Sequence, residues 1–177
     1  SNLKDTPRAL QVWHDKKVVK LFNEMEVLTP RELEARAEIE FENYILKIQI
    51  ESRLMGDLVQ NYFIPAAITY QNKLIQNVQG LMSVLGDKAG KGAAKAQLEL
   101  LEKVSLHINK MKEASDIMLA QRKIANKIES AEQKALAYCD QVKTHFDEIR
   151  YHADKLELLV EDELWPLPKF RELLFIR

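Results

Sequence analysis

Apolar residues recur along this chain every three or four positions, the spacing that lines one face of an α-helix. The longest such run opens at Thr29-Pro30-Arg31-Glu32 and carries Phe41, Ile45, Ile48, Met55, Val59, Tyr62, Ala66, Leu74, Val78 and Leu85. Thr29 stands three positions before Glu32, so each side chain can satisfy the other's free backbone N–H, the capping-box start of a helix. At about 1.5 Å per residue, a helix over this run would extend roughly 80 Å. Pro65 falls inside it, where it removes one backbone N–H and meets the carbonyl of Asn61. The pattern resumes in phase beyond Pro65, which predicts a kink rather than a stop.

The glycines and lysines of residues 86–92 then read as a flexible turn that reverses the chain. A second helix is predicted from about Ala93 to Asn126, with Leu98, Leu101, Val104, Ile108, Met111, Ser115 and Met118 on its apolar face. A third, from about Ser130 to Val160, carries Ala135, Tyr138, Val142, His145, Ile149, His152, Leu156 and Leu159. Ahead of all three, Thr6 reads as the N-cap of a short helix with Pro7 at its first position, and Asp15 as the cap of another. Narrow apolar stripes with charged outer faces bury most simply against one another. The expected fold is all-α: an antiparallel bundle of three long helices, with short N-terminal helices (residues 1–28) and a C-terminal tail docked on the bundle (residues 29–177).

Composition agrees and narrows the function classes. Five glycines and five prolines in 177 residues suit long helices, not a loop-rich β protein. The 26 basic and 27 acidic side chains leave a net charge of -1, so no overall basic field exists to hold a nucleic acid or an anionic membrane surface. No apolar run approaches the roughly 20 residues of a membrane span. A single cysteine, Cys139, rules out an internal disulfide and fits a reducing, cytoplasmic setting. The start Ser1-Asn2, without methionine, reads as a cleavage scar and predicts that the chain is a piece of something longer.

Candidate chemistry is sparse. A phosphate loop needs Gly, four residues, then Gly-Lys-Ser/Thr after a strand. Here three residues separate Gly86 from Gly90, and Gly92 follows Lys91 where a hydroxyl is required. His145 and His152 are seven residues apart, about 10.5 Å along a helix, too far to share a metal unaided. His107 could approach one of them, and hydrogen-bonded seam histidines are the simpler reading. Cys139 reads as a packing residue. A carboxylate-bridged bundle enzyme would need Glu-x-x-His pairs, and Val142 and Ile149 stand where those glutamates would be. No catalytic, cofactor-binding or metal-binding residue is assigned.

Glu161-Asp162-Glu163 reads as solvated beyond a helix end, with basic residues of a partner as the alternative. The tail behind it is too apolar to hang free. Trp165, Phe170, Leu173, Leu174 and Phe175 are the candidate interaction residues, and Pro166 and Pro168 should make the tail turn rather than extend the helix. Lys169 is expected to be dispensable.

Several segments resemble a known family. Thr6-Pro7-Arg8-Ala9-Leu10 through Val27-Leu28-Thr29-Pro30-Arg31-Glu32-Leu33 is similar to the closing stretch of a glutamine synthetase catalytic domain. Phe41-Glu42-Asn43-Tyr44 through Ile64-Pro65-Ala66-Ala67-Ile68-Thr69-Tyr70-Gln71 resembles the long, type III form, as do Tyr151–Glu157 and the tail Trp165-Pro166-Leu167-Pro168 with Leu173-Leu174-Phe175. The resemblance implies the non-catalytic, helical C-terminal part of an enzyme that makes glutamine from glutamate and ammonia, with ATP and Mg or Mn bound elsewhere in the parent. It also implies the catalytic domain and neighbouring subunits as partners in a cytoplasmic homo-oligomer. A stand-alone coiled-coil-like interaction module is the alternative, since none of the family's catalytic motifs occurs in this chain.

Overall fold

The computed structural model describes residues 3–174, and for residues 170 and 171 the backbone alone. Among the described residues the regular structure is entirely helical. Helix α1, Thr6–Leu10, is capped by Asp5 rather than Thr6. An Asp5 carboxylate oxygen accepts the Arg8 backbone N–H at 3.0 Å, and the Arg8 guanidinium returns to the other oxygen at 2.6 Å. A carboxylate suits the positive end of a helix better than a hydroxyl does, which decides between the two adjacent candidates. After a 3-10 turn at Gln11–His14, α2 (Lys16–Glu24) starts on Asp15, which accepts the Lys17 N–H at 2.7 Å. Helix α3, Pro30–Leu58, opens on the expected capping box: the Thr29 N–H donates to Glu32 at 2.8 Å, and the Glu32 N–H to the Thr29 hydroxyl at 3.3 Å. Its bond to the Thr29 N–H holds the Glu32 carboxyl below the usual carboxylate range.

Pro65 is accommodated by a single π-turn, Val59–Phe63, set directly ahead of α4 (Ile64–Leu85). The Ile64 N–H reaches five residues back to the Val59 carbonyl, and this wider turn opens the backbone where proline would otherwise collide with it. One extra residue in a turn moves everything after it one position around the helix. Phe63 and Ala67 are therefore buried, whereas Tyr62, expected on the apolar stripe, is 45% exposed and Ala66 only half-buried. Around Pro65 the buried positions fall one residue later than expected, at Phe63 and Ala67, while Leu74 and Val78 farther along are buried as expected.

The glycine-rich stretch is not a flexible turn. Only Gly86 leaves the helical region, at φ +78°, and Asp87–Ala93 forms α5 folded back on α4. Gly90 permits that approach: a Cβ there would lie 2.5 Å from the Met82 Cα, a backbone atom that cannot yield. Helix α6 follows at Lys95–Ala125. The third predicted helix is broken into α7 (Ala131–Ala137, capped by Ser130), a π-turn at Tyr138–Val142, a 3-10 turn at Lys143–His145 and α8 (Phe146–Leu159). The short α9 spans Phe170–Leu173. No described helix is long and apolar enough to cross a membrane.

Packing groups the chain into two compact units, on a different basis from a division at residue 28. Unit one is Ser1–Leu54 with Ile117–Phe146, and unit two is Met55–Asp116 with Asp147–Arg177. Each thus draws on all three long helical runs. Unit one buries Leu33, Phe41, Met118, Tyr138 and Val142. Its N-terminal helices are tied down by Arg8, which forks onto Asp140 at 2.9 and 3.1 Å, and by Gln11, which donates to Glu132 at 2.8 Å. Unit two buries Val59, Val104, Met111, Ile149 and Leu156. In it Gln71 donates to Ser105 at 2.7 Å and Gln97 to Asn77 at 2.9 Å, pairings that fix α4 and α6 as antiparallel.

Candidate interaction site

The tail is anchored within unit two by two residues. Where α8 ends, the Leu164 and Trp165 N–H groups both bond the Glu161 carbonyl, and the chain turns. Trp165, 8% exposed, then lies flat on Phe63, with ring centroids 5.1 Å apart and planes within 3°. The π-turn brings Phe63 inward, so the phase shift in the first long helix builds the seat for the tail. Burying an aromatic of this size contributes on the order of 2–3 kcal/mol, and stacking adds to it.

Lys169 is the second anchor. It is as buried as Trp165, and its ammonium donates to the Val160 carbonyl at 2.8 Å while pairing with Asp162 at 2.7 Å. Val160 directly follows α8, whose terminal carbonyls lack intrahelical donors and carry partial negative charge, so a cation is well placed there. The expectation that Lys169 is dispensable does not survive this geometry: its long stem folds inward instead of reaching into water. The acidic run is likewise not simply solvated. Glu161 pairs with Lys73 at 2.6 Å, a bond that raises the lysine's pKa, and Asp162 pairs with Lys169; both cations belong to this chain.

Of the remaining candidate residues, Leu173 and Leu174 are 68% and 66% exposed. The side chain of Phe170 and all of Phe175 lie outside the described residues. A second apolar face occurs in unit one, where Ile39, Leu46, Ile50 and Leu54 are each more than half exposed along one side of α3. Beside it lies a groove of about 390 Å³ lined by Glu38, Glu42, Gln49, Glu129 and Lys134, among others.

The histidines divide. His107 on α6 meets His152 on α8, with Nδ1 atoms 2.8 Å apart, whereas His145 stands on the 3-10 turn outside that pair. Cys139 is a half-buried free thiol. Among the described residues, no group of three or more His, Cys, Asp or Glu side chains could hold a metal ion. The ATP-bound metal implied for the parent therefore finds no fitting donor set here.

Residues 1–82 match the family model described as the glutamine synthetase C-terminal domain. Over all 177 residues the chain is 35% identical to "Glutamine synthetase" of Bacteroides fragilis (strain YCH46), covering 24% of that protein. It is 34% identical to "Type-3 glutamine synthetase" of Dictyostelium discoideum, again over the whole chain and 24% of the relative. A "Glutamine synthetase" of Butyrivibrio fibrisolvens is 27% identical over 175 residues, 98% of this chain and 24% of that protein. Residues 1–82 thus belong to the glutamine synthetase C-terminal domain family, and the likeness to glutamine synthetases runs on through the rest of the chain. The chain spans about a quarter of the length of the curated relatives it matches.

The family match takes in α1 to α3, the π-turn and most of α4, and so includes Phe63, one half of the tail's seat. The relatives extend the likeness through Trp165 and Lys169. In this C-terminal domain, sequence reasoning missed Phe63, because Tyr62 occupies the buried position of an unbroken helix. It missed Lys169 because lysine is ordinarily a surface residue.

Proposed function

We propose that this domain is the non-catalytic helical part of a glutamate–ammonia ligase, and that it serves assembly of the enzyme or covers its catalytic portion. In this reading the parent is a cytoplasmic homo-oligomer that joins ammonia to glutamate with ATP and Mg or Mn bound upstream. The observation that carries it is the match of the whole chain to a quarter of the length of glutamine synthetases. The bare apolar rows on α3 and at the end of the tail support it, since exposed faces of this kind mark contact with another protein surface.

The test compares the purified chain, the intact parent and the parent lacking this segment, in a γ-glutamyl transfer assay and by sedimentation. The chain alone turns over no faster than buffer, and removing it from the parent lowers the number of subunits in the oligomer or the activity. Turnover by the chain that survives repurification, or a truncated parent with unchanged subunit number and activity, overturns the reading.

A further inference from the structure

His107 and His152 face each other in a geometry that bridges α6 and α8 by a proton. Their Nδ1 atoms are 2.8 Å apart, and their ring centres 5.1 Å apart. The difference between these distances amounts to two ring radii, so both nitrogens lie close to the line joining the ring centres. That head-on arrangement suits N–H···N. It does not suit a shared metal, which needs the two lone pairs to converge on a point off that line.

We propose that His107 and His152 form a proton-sharing latch holding α8 to α6 in unit two, closed until both rings are protonated. The protonation states follow from the donor inventory of imidazole. When both rings are neutral, one is the Nδ1–H tautomer and donates to the bare Nδ1 of the other. One added proton leaves an imidazolium still donating to a neutral acceptor. A second added proton sets two N–H groups and two positive charges against each other, with no acceptor between them.

The surroundings add to that penalty. The Tyr151 ring stands steeply tilted to both imidazoles, its centre 6.4 Å from that of His107 and 5.1 Å from that of His152, and the Lys155 ammonium sits 5.3 Å over the Tyr151 ring. Burial, then His152, then Lys155 push the His107 pKa below its ordinary value. One turn from the two histidines along their own helices stand Lys103, Lys110, Glu148 and Lys155. On α4, Tyr70 and Lys73 flank the Gln71–Ser105 bond, and Lys73 is engaged by Glu161. Lys110 is engaged by Glu113, and Glu148 is the carboxylate one turn from the pair on their own helices.

The sign follows from linkage. The unfolded chain takes up protons near the ordinary imidazole value of about 6.5, while the folded pair resists the second one. The latch's stabilisation is therefore fully present above that value and is lost as pH falls below it. Opening frees α8, and the Val160 carbonyl that receives Lys169 lies at the end of α8, so acid loosens the seat of the tail.

Nitrogen-15 NMR of the imidazole rings in the whole chain, titrated from about pH 8 to about pH 5, tests this across the range where histidine changes charge. His107 and His152 should titrate as a coupled pair in two steps, with the second step below the ordinary value and one ring in the Nδ1–H tautomer at the alkaline end. Thermal unfolding should show a fall in Tm on acidification. His107→Gln and His152→Gln should each reduce that fall, and the double variant should reduce it no further. Single independent titrations, or glutamine variants that keep the full acid-induced fall, overturn the latch. Ring signals that emerge only after EDTA treatment overturn it too, by assigning the pair to a metal.

Discussion

A lysine ammonium inside a protein needs its partners in place, because an unpaired buried charge is strongly disfavoured. Lys169 has two, the Val160 carbonyl and the Asp162 carboxylate. Lys169→Met keeps the apolar stem but removes the donor. Asp162, about half exposed, returns to water at little cost, whereas the Val160 carbonyl loses its hydrogen bond in a buried position. The loss should be about 1–3 kcal/mol, the penalty for an orphaned buried acceptor. Urea denaturation at neutral pH measures it. A change below about half a kcal/mol would place the ammonium in solvent, as surface substitutions behave.

At the level of elements, the π-turn at Val59–Phe63 decides which aromatic residue is buried. Phe63→Ala should cost about 3–5 kcal/mol and shift Trp165 emission to the red, while Tyr62→Ala should stay within about 1 kcal/mol. A Trp13→Phe background isolates the Trp165 signal. The reverse order of losses would return the first long helix to unbroken α geometry. Features set within one turn were legible in the sequence: the Asp15 cap, the Thr29–Glu32 box and the apolar face of α6 all follow from spacing alone. The bulge was not legible, because a wide turn changes the count of residues without changing their character. Nor was α5, since Gly90 and Gly92 argue against a helix by propensity and only contact with α4 overrides that. The candidate site divides the same way. Trp165 stood out as an aromatic beside two prolines, whereas its partner Phe63 depended on the register and Lys169 on long-range packing.

Over the whole chain, the same apolar spacing that builds the two cores also leaves faces bare. On α3 in unit one, Phe41, Ile45 and Ile48 point inward, while Ile39, Leu46, Ile50 and Leu54 occupy the opposite side. Residues on that outer side contribute less to the fold of this chain than the inward ones, because they keep more than half of their surface in water. If they contact the rest of a larger enzyme, their effect belongs there. Leu46→Lys combined with Ile50→Lys should change the stability of the chain alone by no more than about half a kcal/mol. In the intact parent the same pair should lower the oligomeric mass seen by sedimentation, or detach this domain in limited proteolysis. The groove beside the row carries Glu38, Glu42 and Glu129 against Lys134, so lysines introduced at its edge meet carboxylates of their own chain. Unchanged mass and protease resistance in the parent would remove α3 from the contact surface and leave the exposed leucines of the tail, Leu173 and Leu174, as the remaining face to substitute.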